Sequence, residues 1–397
     1  MAIKWIDDTD FFCKNQKVLY RVDLNVPMDD NLNIRDDSKI IAILPSIDVL
    51  LKKQAKIILI SHFGRPNGII QSKYSLKPIA VRLRSLLDID IIFVEDCIGH
   101  GVVELIKHFK ANTILMLENT RFHAGEEKNS NTFSKMMANK IDIYVNDAFG
   151  VIHREHASTV GVTNFISKSV GGLLIKKEIN ALNTIKYTPK RPFILILGGS
   201  KVKDKLCLLT KLLFKADKII IGGSMSFTFL KALGENIGSI EVEQKNLTIV
   251  RNILSKSKNK AKIILPIDHI AILKCNKNST TRIVNKNTFK KNEIGLDIGP
   301  KTIALYKHEI GKTGTVFWNG PMGVFELTKF AKGTFAIAKI IAEFNGVTII
   351  GGGESTSVIS ILKLNNKISH ISTGGGASIS FLVGNKLTTL NKLGFYD

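Results

Sequence analysis

Lys201 and Lys205 stand four residues apart just after Gly198-Gly199, and those glycines close an apolar run from Phe193 to Leu197. The run has the composition of a buried β-strand. Glycine behind it permits positive φ and a close approach of backbone to a ligand. On one face of the helix expected next, over 203–214, like charges at this spacing cost roughly 0.2–0.5 kcal/mol. An anion between the lysines and the helix N-terminus reverses the sign of that term. An ordinary glycine turn ahead of a solvated lysine face accounts for the same residues, and the stretch alone does not choose between them.

Recurrence makes the stretch informative. In the first half of the chain the ends of apolar runs carry cations: Asp23-Leu24-Asn25 after Arg21, Ser61-His62-Phe63-Gly64-Arg65-Pro66, Glu118-Asn119-Thr120-Arg121, and His153-Arg154-Glu155-His156. In the second half they carry glycines: Gly198-Gly199, Gly222-Gly223, Asn319-Gly320-Pro321, Gly351-Gly352-Gly353 and Gly374-Gly375-Gly376. Ligands of open α/β sheets bind beyond the carboxyl ends of the strands. One half is therefore expected to hold a small polyanion through side chains. The other is expected to hold a phosphorylated group through backbone N–H groups and helix N-termini.

Other chemistries lack their residues. GxGxxG and GxxxxGK[ST] are both missing, against a dinucleotide-dependent dehydrogenase and a P-loop enzyme. His153 and His156 have no third ligand at a sensible spacing, so no zinc site is expected there. Cys13, Cys97, Cys207 and Cys275 are isolated, as in reduced cytosolic proteins. Asp7 and Asp8 come too early for a secretory or transit leader, and no apolar run is long enough to span a bilayer. A cytoplasmic protein without membrane partners is expected. The net charge of +22 invites a nucleic-acid reading. The lysines are scattered among Asn and Ile, however, without interleaved aromatics, and base composition of the genome is a sufficient cause. Nucleic-acid binding is not expected as the function.

The elements that must position these residues alternate along the 397-residue chain. Strands are expected at 18–24, 57–60, 89–94, 114–117, 141–146, 193–197, 218–221, 262–265, 315–318, 347–350 and 368–372. Helices are expected at 76–87, 131–140, 203–214, 244–256 and 331–344. Alternation implies parallel sheets with helices on both faces, and apolar strands imply burial on both sides. The length implies two domains. The fold class expected is α/β, two doubly wound parallel-sheet domains joined by a helix within 172–190. The first spans 1–172 with the tail from about 382 packing back on it, and the second spans 173–381.

Taken together, the motifs resemble phosphoglycerate kinase over essentially the whole chain. They are Arg21-Val-Asp23-Leu-Asn25-Val-Pro27, Ser61-His-Phe-Gly-Arg-Pro66, Asn146-Asp-Ala-Phe-Gly150, Gly198-Gly-Ser-Lys-Val202, Leu296-Asp-Ile-Gly-Pro300, Phe317-Trp-Asn-Gly-Pro-Met-Gly-Val-Phe-Glu326 and Ser372-Thr-Gly-Gly-Gly-Ala377, in the family's order. The resemblance implies reversible phosphoryl transfer between 1,3-bisphosphoglycerate and ADP, giving 3-phosphoglycerate and ATP with Mg²⁺, by a hinge-bending monomer. It implies that Asp23, Leu24, Asn25, Lys39, His62, Phe63, Gly64, Arg65, Arg121 and Arg154 bind the glycerate substrate, with Arg21, His153 and His156 completing a basic patch. Lys205 would contact the phosphoryl in flight, with Lys201 a second phosphate-side lysine. Gly222 and Gly223 would lie against adenine, Asn319 near nucleotide phosphate and Glu326 on the ribose. Gly352, Gly353, Glu354 and Ser355 would serve phosphate and Mg²⁺, with Glu354 the metal carboxylate. Gly374, Gly375 and Gly376 would open an anion-stabilising helix, with Gly375 in the catalytic set.

The chemistry suits these residues on its own terms. A β-phosphate oxygen of ADP is already ionised, so attack on an acyl phosphate needs no general base. It needs cations and N–H donors around a charge-rich group, with two anions aligned and water excluded.

Four positions depart from the family pattern. Its catalytic arginine before the Leu-Pro of the first helix aligns, on Leu44-Pro45, with Lys39, which lacks a guanidinium's planar fork. Arg35 upstream is the alternative. The metal aspartate is Glu354, one methylene longer, at a metal that tolerates poor geometry badly. The third glycine of the adenine loop is Ser224, and acids near Ser380 and Val383 are absent. The rival reading is a non-catalytic descendant that binds nucleotide or an anionic polymer.

Overall fold

The computed structural model describes residues 3–257, 260–273 and 280–396; Cys275 lies outside them. The chain forms two compact units, residues 1–180 with 386–397, and residues 181–385.

The first unit is built on β1 (Lys17–Arg21), β2 (Lys56–Ile60), β3 (Ile91–Val94), β4 (Ile114–Leu117), β5 (Ile143–Asn146) and β6 (Lys168–Gly171). They form one parallel sheet in the order β3-β4-β2-β1-β5-β6. Adjacent residues of β1 serve opposite faces: Val18 and Tyr20 join one core, Leu19 the other, and all three are fully buried. A strand covered on both faces has no polar side to show, hence its continuous apolar sequence. Arg21 ends β1 level with Ile60 and Asn146 on the flanking strands. The loops that follow therefore leave one edge of the sheet side by side. Within this unit the tail is tied down by Thr388, which donates to Glu155 at 2.5 Å, and by Lys392, which donates to Asn164 at 2.9 Å.

The second unit repeats the plan with β7 (Phe193–Leu197), β8 (Lys218–Ile221), β9 (Lys262–Ile264), β13 (Thr315–Asn319), β14 (Val347–Gly351) and β15 (His370–Ile371). All pairs are parallel, in the order β15-β14-β13-β7-β8-β9. Between β9 and β13 the chain adds β10 (Asp268–Leu273), β11 (Arg282–Asn285) and β12 (Glu293–Ile298), an antiparallel sheet in the order β11-β10-β12. The helix Leu173–Tyr187 carries the chain from the first unit into the second.

The expected parallel sheets are present, with shorter margins. β1 stops at Arg21, and Val22–Leu24 run on as irregular backbone. The strand expected over 89–94 begins at Ile91, after Asp88 closes the preceding helix in the left-handed region at φ +50°. The antiparallel sheet was not anticipated. Only Val284 of β11 is buried, so its sequence shows no apolar run, and β12 is interrupted by Gly295 and Asp297.

Candidate active site

In the first unit the cations end the strands and are buried. Arg21 is inaccessible; Nε donates to Ser158 Oγ at 2.8 Å, Nη1 to the carbonyl of Val22, and Nη2 lies 3.2 Å from His62 Nδ1. A guanidinium has only donors, so His62 Nδ1 accepts and its proton sits on Nε2. Burial holds His62 well below its usual titration range, so the ring is neutral. Lys39 Nζ donates to Asp23 Oδ2 at 2.9 Å, and Asp23 Oδ1 accepts from Asn25 N. Burial, the largest single influence, would raise the Asp23 carboxyl; the Lys39 ammonium, the His62 ring and the Asn25 N–H together outweigh it and leave the group at about 2.

Arg121 is 3% exposed, donates from Nη1 to Gly64 O at 2.7 Å and lies 3.1 Å from Glu127 Oε1 through Nε, while Nη2 has no hydrogen-bond partner. Gly64 in turn donates to Asn25 Oδ1 at 3.0 Å, and Leu24 N to Ser61 Oγ at 3.0 Å. Phe63 is buried behind this turn and donates its N–H to Asn119 Oδ1. Arg154, His153 and His156 complete the group electrostatically. Burial and then the fields of Arg121, Arg21 and Arg154 push His156 down to about 4, and burial with Arg154 lowers His153. Arg65 is exposed and enters none of these contacts. Arg35 lines a separate groove with Asp37 and Arg82, so Lys39, not Arg35, joins Asp23.

In the second unit Lys205 is the buried centre. Lys201 only precedes the helix Val202–Leu212 and is exposed, so the two lysines do not share a helical face as expected. Lys205, in the first turn, is 5% exposed and donates to the carbonyl of Gly198. Burial pulls its ammonium down to about 8, against the opposing field of Glu354. Two of its neighbours hold positive φ, where glycine is favoured. A Cβ at Gly199 (φ +78°) would lie 2.6 Å from Lys205 Nζ, and one at Gly320 (φ +96°) 2.1 Å from it. Ser355, fully buried, accepts from Gly320 N at 2.6 Å and fixes that turn. Asn319 is buried with Nδ2 unpartnered beside Gly351 and Gly352. Gly375 (φ +50°) caps the helix Gly376–Val383, and a Cβ there would meet nothing within 4 Å.

Beside Lys205 a cleft of about 210 Å³, partly open to solvent, gathers Gly199, Gly223, Ser224, Glu326 and Glu354. Gly222 is packed under it on Met322. Glu354 is exposed, in the first turn of the helix Gly353–Ile361. Sequence reasoning missed the cleft's far wall: Phe227, His269, Leu296, Asp297 and Met322 also line it. Asp297 accepts from Gly333 N at 2.7 Å and Ile298 N at 2.9 Å, and burial outweighs both bonds to raise it to about 7. Leu296-Asp297 and Met322 sit inside motifs already quoted, so the signal was present. His269 carried none.

A single oxygen donor on an open cleft fits a hard cation shared with nucleotide phosphates, as Mg²⁺ usually is. Among the described residues, the one cluster able to hold a metal through three protein side chains is Asp96, Cys97 and His123, none of them expected at the site.

The family model for phosphoglycerate kinase matches residues 6–385. The phosphoglycerate kinase of Pseudothermotoga lettingae is 46% identical over 395 residues, covering 99% of this chain and 98% of that one. That of Clostridium tetani is 45% identical over 387 residues, covering 97% and 96%. The solved structure of phosphoglycerate kinase from Coxiella burnetii superposes with a TM-score of 0.85 at 33% identity, covering 99% of both chains. With matching motifs, matching parallel sheets and relatives of this similarity along its length, the chain belongs to the phosphoglycerate kinase family.

Proposed function

We propose that the two units divide the family's reaction, reversible phosphoryl transfer between 1,3-bisphosphoglycerate and ADP, into a glycerate-holding half and a nucleotide-holding half. Arg21, Asp23, Leu24, Asn25, Lys39, His62, Phe63, Gly64, Arg65, Arg121 and Arg154 hold the glycerate phosphate and carboxyl. Lys205, Gly222, Gly223, Asn319, Glu326, Gly352, Gly353, Glu354 and Ser355 hold the nucleotide, with Lys201 and Gly375 at the transferring group. The observation that carries this reading is a pair of buried cations whose hydrogen-bonding or charge is incompletely satisfied. Arg121 keeps a donor unfilled, and among the described residues Lys205 has no carboxylate within ion-pair distance. Burying a cation without full pairing is costly unless an anion completes it.

In the ATP-forming direction a β-phosphate oxygen of ADP attacks the acyl phosphorus, and the bond to the carboxyl oxygen breaks to leave a carboxylate. The equatorial oxygens carry charge throughout, and Lys205 and the N–H groups at Gly375 and Gly376 stabilise it without reorganising. Lys39 faces the acyl end. Glu354 would hold Mg²⁺ through the nucleotide, where the ion neutralises phosphate charge. Water exclusion requires the two halves to close on their ligands. Among the described residues no helix is long and apolar enough to cross a membrane; we hold the enzyme to be a cytoplasmic monomer that takes no nucleic acid.

A coupled assay tests this. Consumption of ATP that requires both 3-phosphoglycerate and Mg²⁺ is the expected result. No turnover, together with salt-sensitive RNA binding, would establish the non-catalytic alternative.

A further inference from the structure

In the first unit, the loop after β3 and the turn after β4 bring together three side chains given no part in holding glycerate or nucleotide. β3 and β4 pair in register, with Val94 level with Leu117, so the segments that follow leave the sheet side by side. Asp96 and Cys97 lie in the first of them, and His123 closes the 3₁₀ turn Thr120–Phe122 in the second. One donor atom from each of the three lies within 4.8 Å of the other two.

The donors are aimed as well as close. His123 Nε2 lies 2.7 Å from Asp96 Oδ1, and its ring is backed by Phe133 at 5.3 Å between centroids. Asp96 Oδ1 also accepts from Cys97 N at 2.6 Å, which fixes the carboxylate against its own loop. Cys97 is a free cysteine, 2% exposed, and its sulfur has no hydrogen-bond partner among the described residues. Asp96 is exposed and His123 half-buried, so the group is open to solvent on one side. A hydrogen bond between His123 and Asp96 accounts for two of its members. It does not account for a buried thiol held beside both and bonded to neither.

We propose that Asp96, Cys97 and His123 form a binding site for a divalent transition-metal ion, zinc foremost. Thiolate and imidazole are donors that zinc takes, whereas Mg²⁺ and Ca²⁺ prefer oxygen. Three protein ligands leave the fourth tetrahedral position to water, on the exposed side. Ligands bind deprotonated, so coordination sends the Cys97 thiol proton to solvent and shifts the imidazole proton from Nε2 to Nδ1. Only the folded chain brings the three donors together, so occupancy should raise the unfolding temperature.

Zinc titration of the full chain, without nucleotide and in excess Mg²⁺, tests the site. A single equivalent should bind with Kd of about 1 μM or tighter. His123→Gln and Asp96→Asn should each weaken it by more than the roughly 10–100-fold that loss of an outer-shell partner costs. Asp96→Asn keeps an oxygen for Cys97 N, so that loop retains its hydrogen bond. Cys207→Ser, which removes an exposed thiol, should leave binding intact. X-ray absorption of the zinc-loaded wild type gives an answer free of folding defects. It should show one sulfur at about 2.3 Å with nitrogen and oxygen at about 2.0–2.2 Å. No tight equivalent, a shell of nitrogen and oxygen alone, binding indifferent to His123→Gln, or binding lost in Cys207→Ser overturns the proposal.

Discussion

Lys39 and Lys205 are the two lysines on which the reading depends, and the two units treat them oppositely. Lys39 is partly exposed and has a partner, with Asp23 Oδ2 2.9 Å away. Lys205 is buried, held by a carbonyl and crowded by glycine backbone, and its ammonium is pulled down to about 8. A paired charge is available to a ligand only in competition with its partner. An unpaired, desolvated one acts on the ligand in full, because low dielectric strengthens it. The first unit thus organises an anion site through a prebuilt network of side chains, whereas the second leaves one cation for the ligand to satisfy.

The comparison breaks if Lys205 is not the stronger contributor. Lys205→Ala should lower kcat by about 10²–10³, as loss of a preorganised electrostatic donor does. A smaller loss than that from Lys39→Ala would reverse the ranking. The lowered pKa supplies a second readout. Below about 8 the Lys205 ammonium is charged, so kcat/KM should be flat there and fall as pH rises through that value. Bound phosphates favour the charged form, so the limb in kcat should lie higher, and Lys205→Arg should remove the limb from both profiles. Lys39→Ala should cost about 10–100-fold in kcat/KM, because part of its charge already serves Asp23. Lys39→Arg should retain or raise activity, since a guanidinium can hold Asp23 and a phosphoryl oxygen together.

The Lys39–Asp23 pair should also be visible in stability. Asp23 titrates at about 2 in the fold against an ordinary value near 3.8, so the pair stabilises above roughly pH 4 and that contribution disappears as pH falls toward 2. Urea melts of wild type and Asp23→Asn should differ by about 2 kcal/mol at pH 6 and converge near pH 2. The smallest effect is expected at the metal carboxylate. Glu354→Asp should keep activity within about threefold, because an exposed side chain on an open cleft can adjust its reach. A steep rise in the Mg²⁺ concentration needed for half-maximal rate would mean the site was rebuilt around glutamate.

Most of the two parallel sheets was legible because their strands are buried on both faces and read as apolar runs. The elements that went unseen are those whose burial is one-sided or whose sequence is mixed. β11 buries one residue of four, and β12 alternates buried residues with partly exposed ones. β10 and β12 line the cleft's far wall, and His269 on β10 lies in no motif, so it stayed silent although Glu326 and Gly223 spoke through motifs. The pairing of Lys201 with Lys205 on one face was a period argument applied across a helix boundary. Helical spacing holds only within the helix, and Lys201 precedes it.

Residue order alone established the alternation of strand and helix, the cations at one set of strand ends and the glycines at the other. Those follow from local chemistry: apolar runs pair into sheets, and glycine marks where backbone must turn or be approached. Only the tertiary structure decided the electrostatic state of each group. It placed Lys39 on Asp23, gave Arg21 and His62 a shared bond with a defined tautomer, and buried Lys205 under glycines. Charge strength depends on what surrounds a group in space, and those surroundings come from loops far apart in the chain.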